Sequence, residues 1–190
     1  ADAYEIIAAQ ARRTEDEVLA TNRYNNHYNF MVSVNGDSVR ACIERLTEWD
    51  RISPEKPFEI VFNSPGGDLV DGLALFDYIR LMRDKGHKVT TSTIGYAASM
   101  AGILLQAGDV RIMGRESWLL IHEASFLTLG KFGEVVDEVN WIKRIQKRIL
   151  DIFAERSVLT AKQIGTRWER KDWWISSDEA LKLGFVDEVR

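Results

Sequence analysis

Cysteine and proline are both scarce in this chain, which has one of the first and three of the second in 190 residues. A lone cysteine excludes an intrachain disulfide framework, so a buried core must hold the fold. So few prolines leave helices and interior strands free to run long. No apolar run approaches the roughly 20 residues that a membrane-spanning helix needs, and no apolar stretch before small residues reads as a secretory signal. With the single thiol, this points to a cytoplasmic protein without membrane contact. Positive charge is short as well: 25 Lys and Arg face 29 Asp and Glu, a net charge of −4. Without a long basic run, that balance argues against a nucleic-acid partner. What is abundant is apolar mass, 45% of the chain with six tryptophans, enough for one well-buried α/β domain. No repeat, low-complexity tract or linker divides it.

The spacing of apolar residues predicts a helix over residues 1–19, a polar loop over 21–26, a strand over 28–34 and a helix over 38–49. Cys42 lies on the apolar face of that second helix and reads as a structural thiol. A strand over 58–62 runs into Asn63-Ser64-Pro65-Gly66-Gly67-Asp68, where Pro-Gly fits the centre of a type II turn. A helix over 69–83 and a β-branched strand over 88–94 lead to a second corner, Gly95-Tyr96-Ala97-Ala98-Ser99, and a short apolar helix over 98–106. In a parallel sheet two such strand–glycine–helix corners open on the same edge, where ligands bind. Each corner alone is equally an ordinary turn, and Ser99 alone is equally a helix cap. As a nucleophile, however, Ser99 would be well served, because amides in the first helical turn lack intrahelical acceptors.

Strands over 110–113 and 118–121 follow, the second ending in His122. Four apolar residues before it place the imidazole at a strand terminus, either as a base or as a satisfied core histidine. His27 and His87 fall in polar loop sequence and read as surface groups. Residues 134–156 form a long amphipathic helix striped by Ile142, Ile145, Ile149 and Phe153. Its length suggests that part of the stripe is covered by a second subunit. Short helices over 160–168 and 178–183 and a last strand over 185–189 complete the chain.

Four runs now stand in order: Asn63-Ser64-Pro65-Gly66-Gly67, Gly95-Tyr96-Ala97-Ala98-Ser99-Met100, Ile121-His122, and the tail from Lys171-Asp172-Trp173-Trp174 to Gly184-Phe185-Val186-Asp187. Together they resemble the ClpP family of self-compartmentalising serine proteases, over roughly residues 28–189. The resemblance implies an α/β chain of the ClpP/crotonase fold, with repeated β-β-α units and a protruding handle helix. It divides the chain into an N-terminal helical and loop segment, 1–26, and a ClpP-like serine protease domain, 27–190. It implies a serine endopeptidase without cofactor or metal, hydrolysing unfolded polypeptides through Ser99 as nucleophile, His122 as base and Asp172 as orienting acid. Gly67 and Met100 correspond to the oxyanion-hole amides. The implied assembly is a homo-oligomer of heptameric rings stacked in pairs, with an AAA+ unfoldase as partner. Asp172 takes its role from the tail pattern alone; Asp109, Asp178 and Asp187 are the other acids nearby in sequence.

The departures read as those of a divergent member, of phage type or a plasmid relative. Residues 1–26 do not match the family's short axial loop, and Glu123-Ala124 stands where the family has Gln-Pro. Two readings from other classes stay open: a catalytically silent ring or scaffold subunit, and a crotonase-type acyl-CoA enzyme, which shares the paired amides but has no use for a nucleophilic serine. Within proteases, a Ser/Lys arrangement would leave His122 idle.

Overall fold

The computed structural model describes residues 2–190, and of residues 15–24 the backbone alone. At its centre, strands β1 (His27–Phe30), β2 (Phe58–Ser64), β3 (Val89–Ala98), β4 (Val110–Met113) and β7 (Glu188–Val189) lie side by side in the order β1-β2-β3-β4-β7, all parallel. β2 is buried on both faces through Phe58, Ile60, Val61 and Phe62, as a parallel sheet between helices requires. Helix α2 (Gly36–Ile52) starts where the Asn35 side chain accepts the amides of Asp37 and Ser38, and it turns Val39, Cys42, Leu46 and Trp49 to the core. Helix α3 (Leu69–Asp84) starts on Asp68, whose carboxylate accepts the Asp71 amide. Each cap offsets amides that the first helical turn leaves unpaired. Cys42 is fully buried, and that burial pushes its thiol pKa up, as a structural role implies.

β3 is longer than its sequence suggests, because it serves two partners in succession. Thr90–Thr93 pairs with β4, and Tyr96–Ala98 pairs with strand β5 (Trp118–Ile121). Gly95, at φ +67°, bends the strand instead of ending it. Helix α4 (Met100–Leu105) therefore begins after Ser99, not at Ala98, and every one of its residues is buried. Strand β6 (Trp173–Ser176) runs antiparallel to β5. No strand was expected there, since Trp-Trp-Ile-Ser lacks the alternation of a half-buried strand and forms one only by pairing.

Other expectations are corrected in the same way. Helix α1 (Ala3–Asn25) continues through the polar stretch that reads as a loop. β1 stops at Phe30, and Val34 instead makes an isolated bridge to Gly67. β7 covers two residues, not the whole of 185–189. His87, expected at the surface, is 2% exposed: it stacks on Phe58, and its nitrogens find the Lys56 carbonyl at 2.7 Å and the Asp50 carboxylate at 2.9 Å. With both nitrogens satisfied, the ring is buried at little cost.

Helix α5 (Phe132–Ala154) divides in two. Its second half packs on the core through Ile149 and Phe153, with Ile145 and Ile152 partly buried beside them, and Ile142 is buried too. The stripe through Ile142 is thus covered by the subunit itself, whereas Phe132, Val136 and Trp141 in the first half stay exposed. Helices α6 (Ala161–Trp168) and α7 (Ser177–Leu183) close the C-terminal side. Among the described residues no helix is long and apolar enough to cross a membrane.

Candidate active site

The two glycine corners meet. Val34 donates its amide to Gly66 O at 2.8 Å, and Asp68 donates to Val34 O at 2.8 Å, so Gly67 is clamped flat against Val34. A Cβ at Gly67 would lie 2.1 Å from Val34 O, and one at Gly66 would lie 2.5 Å from Ala98 O and 2.8 Å from the Ser99 Cβ. Both glycines also hold positive φ, +84° and +151°. Only residues without side chains let the first corner approach Ser99 this closely.

Ser99 sits between strand and helix at φ 56°, ψ −124°, in a region that non-glycine residues avoid. Such a conformation costs about 1–3 kcal/mol and persists where the surroundings enforce it. Here the enforcement is visible: the Ser99 amide donates to Leu120 O at 3.0 Å, and its carbonyl accepts the amides of Gly102 and Ile103. The side chain makes no capping hydrogen bond, so the reading of Ser99 as a mere helix cap fails. The hydroxyl is left half-buried at a sharp strand-to-helix turn, the placement that exposes a nucleophile.

Ser99, Gly67, Met100 and His122 line one cavity of about 50 Å³. Its floor is apolar, built from Leu69, Ile103, Ile149 and Phe153, and no lysine is among its described lining residues. Among the described residues neither the Gly67 nor the Met100 amide has an acceptor.

His122 follows β5 directly and is half-buried. Its Nδ1 lies 2.5 Å from the Glu123 carbonyl, while among the described residues no hydrogen bond joins it to Ser99 or to Asp172. Asp172 precedes β6 and is exposed. The last register pair of β5 and β6 joins Ile121 to Trp173, the chain neighbours of His122 and Asp172. The competing acids are engaged elsewhere. Asp109 binds Arg83 at 2.7 Å and accepts the Val89 amide at 2.8 Å. Asp187 accepts from buried Arg111 at 2.7 Å and from Arg156 at 2.9 Å. Burial alone would raise the Asp187 carboxyl, but hydrogen bonds from Arg111 and the charges of Arg111 and Arg156 hold it below the ordinary carboxylate range. Asp178 lies in the first turn of α7, where a carboxylate suits the helix dipole.

Glu123 is the residue that sequence reasoning passed over. It lines the cavity, and its carboxylate accepts the Arg170 amide at 2.6 Å. The signal was the departure at 123–124 itself. Among the described residues no group of His, Cys, Asp or Glu side chains is arranged to hold a metal ion.

A model of the family described as Clp protease matches residues 15–190. The chain is 31% identical over 158 residues to an ATP-dependent Clp protease proteolytic subunit of Pleurastrum terricola, covering 82% of this chain and 79% of that protein. It is 28% identical over 158 residues to a protein of the same description from Deinococcus radiodurans, covering 82% and 76%.

Proposed function

The chain belongs to the Clp protease family, and from that premise we propose that it is a serine endopeptidase acting through Ser99, His122 and Asp172. The observation that carries this reading is the corner at Ser99, a strained serine with an uncapped hydroxyl that shares a cavity with an imidazole and two unpaired amides. In the reaction His122 takes the hydroxyl proton as Ser99 Oγ attacks the scissile carbonyl. The oxyanion is held by the Gly67 and Met100 amides, each such donor being worth roughly 3 kcal/mol. His122 then returns the proton to the leaving amine, and water hydrolyses the acyl-enzyme. Asp172 orients the imidazole once Nδ1 exchanges the Glu123 carbonyl for its carboxylate, a reading supported by the register that pairs their neighbours Ile121 and Trp173.

The protease domain in this reading is 27–190, with 1–26 as a separate N-terminal segment. Exposed Leu127, Leu129 and Phe132, 90%, 94% and 87% accessible, support a homo-oligomer. We assign it the family's stacked heptameric rings, with unfolded polypeptides as substrates and an AAA+ unfoldase feeding them. The silent-subunit and acyl-CoA readings are not favoured, since neither explains a strained serine beside a histidine. A cavity with no lysine among its described lining residues likewise disfavours a Ser/Lys pair.

Treatment with a fluorophosphonate probe, followed by mapping of the adduct, tests the proposal. The label is expected on Ser99 and absent from Ser99→Ala. A label on another serine, or undiminished labelling of the variant, overturns it.

A further inference from the structure

The β5–β6 ladder stops at the pair Ile121–Trp173, and beyond that pair the two chains carry His122 and Asp172. Among the described residues no further register pair holds them at this point. One side-chain rung does: Glu123 Oε1 accepts the Arg170 amide at 2.6 Å, across 47 positions of sequence. Arg170 is a non-glycine residue at φ +56°, a strained conformation that persists where the surroundings enforce it. The other backbone ties on this turn are longer, the Glu169 amide donating to Gly165 O and the Lys171 amide to Trp168 O, each at 3.2 Å. Asp172, two residues beyond Arg170, makes no hydrogen bond of its own to described residues. Its place therefore depends on the turn that precedes it. Glu123 touches the other partner too, since its carbonyl lies 2.5 Å from His122 Nδ1.

We propose that Glu123 is a positioning residue: its carboxylate fastens the turn that presents Asp172 to His122, and so sets the orientation of the base without touching substrate. The inference rests on the serine-peptidase reading above. What the bond to Arg170 requires is an acceptor at the end of a two-methylene side chain, not a negative charge, so glutamine satisfies it and aspartate falls short.

The test is steady-state hydrolysis of a fluorogenic peptide by the assembled protein, with thermal melts alongside. Glu123→Ala and Glu123→Asp are expected to lower kcat roughly 10- to 100-fold, as small misplacements of reacting groups do, with KM within about twofold. Glu123→Gln is expected to retain most of the wild-type kcat. Added to Asp172→Asn, Glu123→Ala is expected to cost nothing further, because its effect runs through Asp172. Unchanged kcat in Glu123→Ala, equal loss in Glu123→Gln, or multiplicative loss in the double variant overturns the inference. If Glu123→Ala fails to fold, the contrast between Glu123→Gln and Glu123→Asp decides alone. A wild-type protein without Ser99-dependent hydrolysis overturns instead the peptidase reading on which the inference rests.

Discussion

The Ser99 amide donates to Leu120 O at 3.0 Å, so the corner at Ser99 is fastened to the same strand that, two residues later, leads into His122. Among the described residues, serine and histidine are thus coupled through backbone and not through side chains. A rigid connection of this kind suits catalysis, which loses rate steeply when reacting groups are misplaced.

Ser99→Ala and His122→Ala are expected to lower peptide turnover by similar factors, and the double variant by no more than either, because members of such a unit do not contribute additively. Turnover of the three variants beside wild type is the measurement. High residual activity in His122→Ala would remove histidine from the mechanism.

Among the acids, Asp172→Asn is expected to reduce turnover by up to about 10⁴-fold with an unchanged melt, in keeping with loss of an orienting carboxylate. Asp109→Asn and Asp187→Asn should do the reverse, lowering the melting temperature while the folded protein stays active. Their carboxylates hold Arg83 and Arg111, not the imidazole. If Asp187→Asn were the inactive one, the assignment of the acid would move.

Gly67→Ala is expected to abolish activity and to destabilise the fold, since its Cβ would overlap Val34 O at 2.1 Å and the backbone holds φ +151°. Positive φ alone costs an alanine about 1–2 kcal/mol. Melting and turnover measured together would show it, and a stable, active Gly67→Ala would contradict the clamp at Val34.

Acid should weaken the fold through Asp187. Its folded-state pKa lies below the ordinary value, so the ion pairs stabilise fully above about pH 4 and that contribution is lost as pH falls through the lower folded value. Melting temperatures across pH 2–6, in about half-unit steps, should therefore fall at the acid end in wild type and fall less in Asp187→Asn. Parallel profiles would rule this group out as the source.

For the assembly, Phe132→Glu with Val136→Glu is expected to dissociate an oligomer while leaving the subunit folded, as both side chains are exposed. Ile142→Ala should instead destabilise the subunit by about 2–5 kcal/mol, as a buried large-to-small change does. Light scattering beside thermal melts separates the two, and a monomeric wild type ends the idea.

Local chemistry made part of this molecule readable in one dimension. Glycines at 66 and 67 announce a corner because only glycine takes those backbone angles, the apolar stripes of α2 and α3 repeat at the helical period, and four apolar residues before His122 place it at a strand end. The ordered motifs around Ser99, His122 and Asp172 carried the family, which the comparisons confirm. Tertiary structure decided what depends on a distant partner. β3 runs past Gly95 only because β5 lies alongside to take its hydrogen bonds. His87 is buried because Phe58, Asp50 and Lys56 supply a stacking surface and two acceptors. Ile142 is covered by its own subunit, although its spacing alone would serve a neighbour equally well. Ile121 and Trp173, the neighbours of His122 and Asp172, meet through a strand pairing that Trp-Trp-Ile-Ser does not announce, and Glu123 reaches Arg170 across 47 positions. Periodicity and turn chemistry act over a few residues, whereas the pairings that assemble this site join segments brought together only by the collapse of the core.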